Sequence, residues 1–142
     1  MAKPNIFISH RWDYNSSYIS LISKLNEYEL PHLNYSVPSH DPLDLNKTNQ
    51  IKQALSEQIR QCNYFVIFAN MAMANSYWCK YEIDVATSYG KPILSVKPYN
   101  YTGNIPLFIQ LADNQNGPSG FNTPAIIRKI CNQLNYPIPV GL

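Results

Sequence analysis

Residues 64–69, Tyr64-Phe65-Val66-Ile67-Phe68-Ala69, form an unbroken apolar run of aromatic and β-branched residues. The run shows no polar/apolar alternation, so a strand formed here is apolar on both faces. Such a strand belongs in the centre of a parallel sheet covered by helices on either side. Working outward, Asn75 or Ser76 precedes a helical pattern that stops at Gly90, with Pro92 soon after. Pro92-Ile93-Leu94-Ser95-Val96 then reads as a further strand. Residues 99–120 are irregular, with a short helix predicted at Ile105 to Leu111, and a last helix is predicted at Thr123 to Leu134. On the N-terminal side, Ile6-Phe7-Ile8-Ser9 is a buried strand, and Tyr14 to Leu30 is helical through Tyr18, Leu21, Ile22 and Leu25. Leu33 to Val37 alternates as a second strand. A polar loop, "PSHDPLDLNKTNQ" (38–50), leads to a helix predicted at Ile51 to Ile59.

Strands alternating with helices at this spacing predict right-handed βαβ units and a three-layer α/β sandwich. The expected sheet is mostly parallel and five-stranded, in the flavodoxin-like order 2-1-3-4-5, within a single domain over 1–142. Ligands in such folds sit beyond the carboxyl ends of the strands, where the order reverses between strands one and three. That rule selects Ser9, His10, Arg11, Trp12 and Asp13 after the first strand, and Asn70 with the following helix after the third. Pro38 to Asp44, including Ser39, His40 and Asp41, forms the expected rim.

The helix after the third strand, "YWCKYEIDVA" (77–86), carries two acids two residues apart. Laid out at about 100° per residue from Trp78, the residues Tyr81, Val85, Tyr89, Ala86, Cys79 and Ile83 span one apolar arc. Asp84 falls among Lys80, Thr87 and Ser88. Glu82 falls at about 40°, near the middle of the apolar arc. An unpaired buried carboxylate is costly, so its presence needs a reason. Two remain open on geometry alone: a Glu paired with a buried Arg or capping a loop, and a functional acid.

The 142 residues suit one domain, and the hydrophobic content of 45% with 14% charged residues describes a charge-poor globular chain. A net charge of +2 without a Lys/Arg run gives no case for nucleic-acid binding. Cys62, Cys79 and Cys131 form no C-x-x-C pair and read as reduced, packed thiols. No signal peptide or membrane-length apolar stretch is evident, so a cytosolic protein is expected. Ser9, His10 and Asp13 are too close along the chain for a hydrolytic triad, and a nucleophile elbow is lacking. His40, Asp41 and Asp44 fit turn formation and capping better than a metal site. The five glycines never cluster into a phosphate cradle. A phosphoacceptor domain would need an Asp where Ala69-Asn70 stands, and "SHRWDYNSS" lacks the glycine of a flavin-phosphate loop. What survives is a pocket with one acid, an Arg, a His and aromatics, suited to a nucleotide with a planar base and a pyrophosphate.

"IFISHRWD" (6–13), "NYSVPSHDPLD" (34–44), "SYWCKYEI" (76–83) and "KPILSVKPY" (91–99) together resemble a TIR domain. The likeness is greatest to the TIR-like branch of bacterial antiphage systems of the Thoeris type, and it runs through nearly the whole chain. The resemblance implies the flavodoxin-like fold and, in enzymatic members, cleavage of the nicotinamide–ribose bond of NAD⁺ by a glutamate matching Glu82. It further implies a nucleotide signal, either a cyclic ADP-ribose isomer or an ADP-ribose conjugate, that switches on a separate effector protein. NAD⁺ is then a substrate, and no resident cofactor or metal is implied. Trp78 or Trp12 could stack on a base or on the nicotinamide ring, although Trp78 also suits a core position. Arg11 and the positive end of the Glu82 helix could receive pyrophosphate. Ser9 and His10 could bond a ribose or the base. The loop from Pro38 to Asn49 corresponds to the one through which TIR domains self-associate. Two prolines and no glycine in that loop depart from animal and plant relatives. Some TIR domains are non-catalytic interaction modules, which is the alternative reading, and a deoxyribosyltransferase-like enzyme is a third.

Overall fold

Tyr64–Phe68 is the third of four parallel strands in the computed structural model, which describes residues 3–9, 16–33, 45–70 and 76–142. The elements are β1 (Ile6–Ser9), α1 (Ser16–Glu27), β2 (His32–Leu33), α2 (Leu45–Gln61), β3 (Tyr64–Phe68), α3 (Tyr77–Ser88), β4 (Ile93–Val96), α4 (Leu107–Ala112) and α5 (Thr123–Gln133). The sheet order is β2-β1-β3-β4. All five residues of β3 are buried, as its unbroken apolar run requires. Side chains alternate across the sheet. Tyr64, Val66 and Phe68 face a core shared with α1 and α5, whereas Phe65 and Ile67 face one shared with α2, α3 and α4. Phe7 and Phe65, partners in the β1–β3 register, stack with ring centroids 5.3 Å apart. Each fully buried Phe or Ile here contributes about 1.5–3 kcal/mol relative to exposure.

Two expectations need correction. The first is the fifth strand, which is absent among the described residues; in its place Ser119 makes an isolated parallel bridge to Val96. The segment Asp113-Asn114-Gln115-Asn116-Gly117-Pro118 is rich in turn formers and has no β-branched residue to cover a core. Its side chains supply the missing ladder instead. Ile93 donates its N–H to Asn114 Oδ1 (2.8 Å) and accepts from the Asn114 N–H (3.0 Å). Ser95 donates its N–H (2.7 Å) and hydroxyl (2.6 Å) to Asp113 Oδ2. The Ser119 N–H donates to the Ser95 carbonyl (2.9 Å), and the Lys97 N–H donates to that of Ser119 (2.8 Å). Asp113 Oδ1 also accepts from the Gln115 and Gly117 N–H groups. Burial pushes the Asp113 carboxyl up, but the hydrogen bonds outweigh it and hold the group below its ordinary range.

The second correction concerns the rim. The loop expected over Pro38 to Asn49 ends by Leu45, because α2 starts six residues before Ile51. Asn46, Lys47, Asn49 and Gln50 are polar and hide the helical pattern, yet buried Thr48 continues the stripe of Ile51, Leu55 and Ile59. Residues 34–44, with the remainder of the expected second strand and of the rim, lie outside the described residues.

Candidate active site

The local sequence fixes where α3 begins and ends. Ser76 caps it, its Oγ accepting the Cys79 N–H at 3.1 Å. At the other end Gly90 takes φ +66, a left-handed conformation that suits glycine. The Gly90 N–H donates to Thr87 and the Lys91 N–H to Ala86, closing the helix in a Schellman arrangement. Lys91 Nζ then donates to the carbonyls of Arg60 and Cys62, tying the end of α2 to the start of β4. Between these stops α3 buries Cys79, Glu82, Ile83 and Ala86. The buried arc runs from Glu82 at about 40° round to Ile83 at about 140°, so Glu82 stands at its margin and not near its middle, and Tyr89, placed on the arc by periodicity, is the exposed C-cap.

Glu82 is 7% exposed. Helical side chains lean toward the helix N-terminus, and in a parallel α/β sheet the helix N-termini lie at the carboxyl edge of the strands. Glu82 therefore leans toward the edge that the switch-point rule selects. Ser9, the last residue of β1 and 1% exposed, donates its hydroxyl to Glu82 Oε1 at 3.4 Å. Burial pushes the Glu82 carboxyl up to about 8, and the Ser9 hydrogen bond opposes that shift. A cation bound nearby opposes that shift and favours the ionised form. The charge, once formed, acts in a medium of low dielectric.

Asn70 closes the carboxyl end of β3. It is buried, and its Oδ1 has no hydrogen-bond partner among the described residues. An acceptor in that state costs about 1–3 kcal/mol unless something donates to it. Trp78 stands edge-on to Tyr77 (centroids 5.0 Å apart) and to Tyr81 (6.0 Å). Lys52 of α2 lies 5.5 and 5.2 Å from the Tyr77 and Tyr81 ring centroids, and Tyr81 Oη shares a 2.8 Å hydrogen bond with Ser56 Oγ. This cluster joins α2 to α3, so half-buried Trp78 has a packing role.

Of the residues selected in the sequence, the structure brings together Ser9 and Glu82 and places Asn70 and Trp78 on the flanking elements. His10, Arg11, Trp12, Asp13, Ser39, His40 and Asp41 lie outside the described residues. Ser17 and Thr48, in the first turns of α1 and α2, are buried polar residues that the sequence reading passed over. Ser17 Oγ accepts the Tyr99 N–H at 2.9 Å, a contact between residues 82 apart that no local pattern announces. Cys62, Cys79 and Cys131 are buried and make no disulfide among the described residues. Among the described residues no group of three His, Cys, Asp or Glu could hold a metal ion, and no helix is long and apolar enough to cross a membrane.

A parallel α/β domain with a buried glutamate at its carboxyl edge matches the class expected of TIR-like domains. Residues 7–102 match the family model described as "Thoeris protein ThsB, TIR-like domain", and the chain belongs to that family. Three solved structures are similar at low identity, and the two with TM-scores above 0.5 share its fold. A CMP N-glycosidase from Clostridium botulinum, BcmB, is 15% identical with a TM-score of 0.56, and the match covers 92% of this chain and 98% of that one. The TIR domains of the activated Roq1 resistosome are 16% identical with a TM-score of 0.49, covering 69% and 58%. A diflavin flavoprotein A3 from Nostoc sp. is 13% identical with a TM-score of 0.51, covering 94% and 89%. No curated protein sequence matches the chain.

Proposed function

We propose that the protein cleaves the N-glycosidic bond of NAD⁺ and converts the ADP-ribose moiety into a signalling nucleotide. The observation that carries this reading is Glu82, buried on the inner face of α3 and bonded to Ser9 at the carboxyl edge of β1. A domain that only docked to partners has no use for an acid in that position. In the reaction, the bond between ribose C1′ and nicotinamide N1 breaks, and its electron pair leaves with nicotinamide as a neutral molecule. No general acid is needed, unlike ordinary glycoside hydrolysis with its two carboxylates. Ionised Glu82 stabilises the oxocarbenium-like ribose and bonds its hydroxyls. A nucleophile then attacks C1′. Water gives ADP-ribose and one proton, an oxygen or nitrogen within the nucleotide gives a cyclic isomer, and another acceptor gives a conjugate.

Arg11, His10, Trp12, Asp13, Asn70 and the rim residues Ser39, His40 and Asp41 are the proposed substrate contacts. The product is proposed to act on a separate effector protein in antiphage defence, in the cytosol, with self-association through residues 38–49 completing the site. A second reading follows from the likeness to a CMP N-glycosidase: cleavage of the same C1′–N bond in a nucleoside monophosphate. The test is incubation of the purified protein and of Glu82→Gln with NAD⁺ and, separately, with CMP, followed by mass analysis. Nicotinamide release that requires Glu82 supports the first reading, and cytosine release supports the second. Neither product, including after self-association, would leave a non-catalytic interaction module.

A further inference from the structure

We propose that Ser9 is a positioning residue for Glu82, committed to the carboxyl group and not to substrate. The inference rests on Glu82 being the catalytic acid. Ser9 stands opposite Ile67 in the β1–β3 register, so its backbone is held in the ladder. Strand alternation puts its side chain on the Phe7 face of the sheet, toward α3. It is 1% exposed, and its hydroxyl donates to Glu82 Oε1 across a sequence separation of 73 residues. A serine hydroxyl has one proton to donate. While that proton is on Oε1, Ser9 cannot also donate to a ribose or a base.

The bond has two consequences. It selects one orientation of a side chain with three rotatable bonds and assigns Oε1 to the protein, so that Oε2 is the oxygen turned to the reacting ribose. It also supplies a donor that favours the ionised form, opposing the burial that disfavours it. In the core shared by β1, β3, α2 and α3, the titratable side chains among the described residues are Cys62, Cys79 and Tyr81, with Lys52 held over the aromatic rings. His10, Arg11 and Asp13 follow Ser9 directly and lie outside the described residues.

The experiment compares wild type, Ser9→Ala and Ser9→Thr by ¹³C NMR titration of the Glu82 carboxyl carbon and by steady-state NAD⁺ turnover. Ser9→Ala is expected to move the Glu82 titration midpoint to higher pH and to shift the acid limb of kcat the same way. At neutral pH kcat should fall roughly ten-fold or more, with KM changed less than about three-fold. Ser9→Thr keeps the hydroxyl and should restore both midpoint and kcat. An unmoved midpoint in Ser9→Ala overturns the proposal, and so does a rise in KM at constant kcat, which marks a substrate contact. If wild type releases no nicotinamide, the reading of the function fails, and the midpoint comparison decides the Ser9–Glu82 relationship by itself. Should Ser9→Ala not fold, Ser9→Cys, of similar volume and weaker donor strength, is titrated in its place with the same expected direction.

Discussion

Glu82 and Asp84 stand two residues apart on α3 and about 200° apart around its axis, the first buried and the second exposed. Their substitutions should therefore separate cleanly. Glu82→Gln is expected to lower nicotinamide release by at least about 100-fold, the lower range for loss of a positioned catalytic carboxylate. Asp84→Asn should leave it within about two-fold, as expected for a solvated surface acid. Parallel losses in the two variants, measured by quantified nicotinamide with folding checked by circular dichroism, would remove Glu82 from its assigned role.

The same burial gives the protein a pH-dependent stability. The folded-state value of Glu82, about 8, lies above the ordinary 4.5, so the native state holds a proton that the unfolded chain has released. The resulting stability is fully present below about pH 4.5 and is lost as pH rises through about 8. Glu82→Gln keeps the volume and removes this slope. At pH 8.5 it should be the more stable protein by a few kcal/mol, and near pH 4 the two should converge. Urea melts at both pH values check the prediction, and other titrating groups cancel in the comparison.

Asn70 yields a prediction of opposite signs. Replacing it with Leu removes an acceptor that lacks a partner among the described residues, so stability should hold or rise by about 1 kcal/mol. If the substrate donates to Oδ1, KM should rise about five- to thirty-fold. A stabilised variant with unchanged KM would show that Asn70 does not meet the substrate.

Gly117 tests the substitute for the fifth strand. A Cβ there would come within 2.0 Å of Asp113 Oδ2 and 2.9 Å of the Ser95 carbonyl oxygen. Gly117→Ala should cost about 2–4 kcal/mol. Asp113→Ala in the same background should recover little of it, since the backbone contact persists and the Ser95 donors lose their acceptor. Chemical denaturation of the single and double variants measures both effects.

Assembly is tested by turnover per mole of protein. If a neighbouring copy completes the site through residues 38–49, specific activity should climb with concentration, and Asp41→Arg should abolish the climb. A flat profile with full activity in dilute monomer would show a site complete in one chain.

The central strand and the inward placement of Glu82 were legible because each follows from periodicity, and the order of the first four strands followed from the fold class that the strand–helix alternation predicts. β3 is apolar on both faces, and α3 has a single buried arc. The start of α2 was hidden because its first turn, Asn46 to Asn49, presents side chains that also suit a loop, and only tertiary burial of Thr48 extends the stripe. The missing fifth strand was a counting expectation drawn from the fold class, and Asp113 and Asn114 override it through contacts about twenty residues away in sequence. The Ser9–Glu82 pairing was legible only as proximity. Periodicity cannot announce a bond between side chains 73 residues apart.

The closure of β4 also bears on association. Unsatisfied edge strands invite other chains to pair with them. On the outer side of β4 the N–H and carbonyl of Ile93 and Ser95 and the N–H of Lys97 are all occupied by Asn114, Asp113 and Ser119. A neighbour cannot extend the sheet there without displacing the half-buried Asp113 carboxylate and its donors. Growth by strand addition, including aggregation of this kind, is thereby confined among the described residues to the opposite margin at β2, only His32–Leu33 in length. Contacts between copies must otherwise be made through helices and loops, which can be made and broken without opening the sheet.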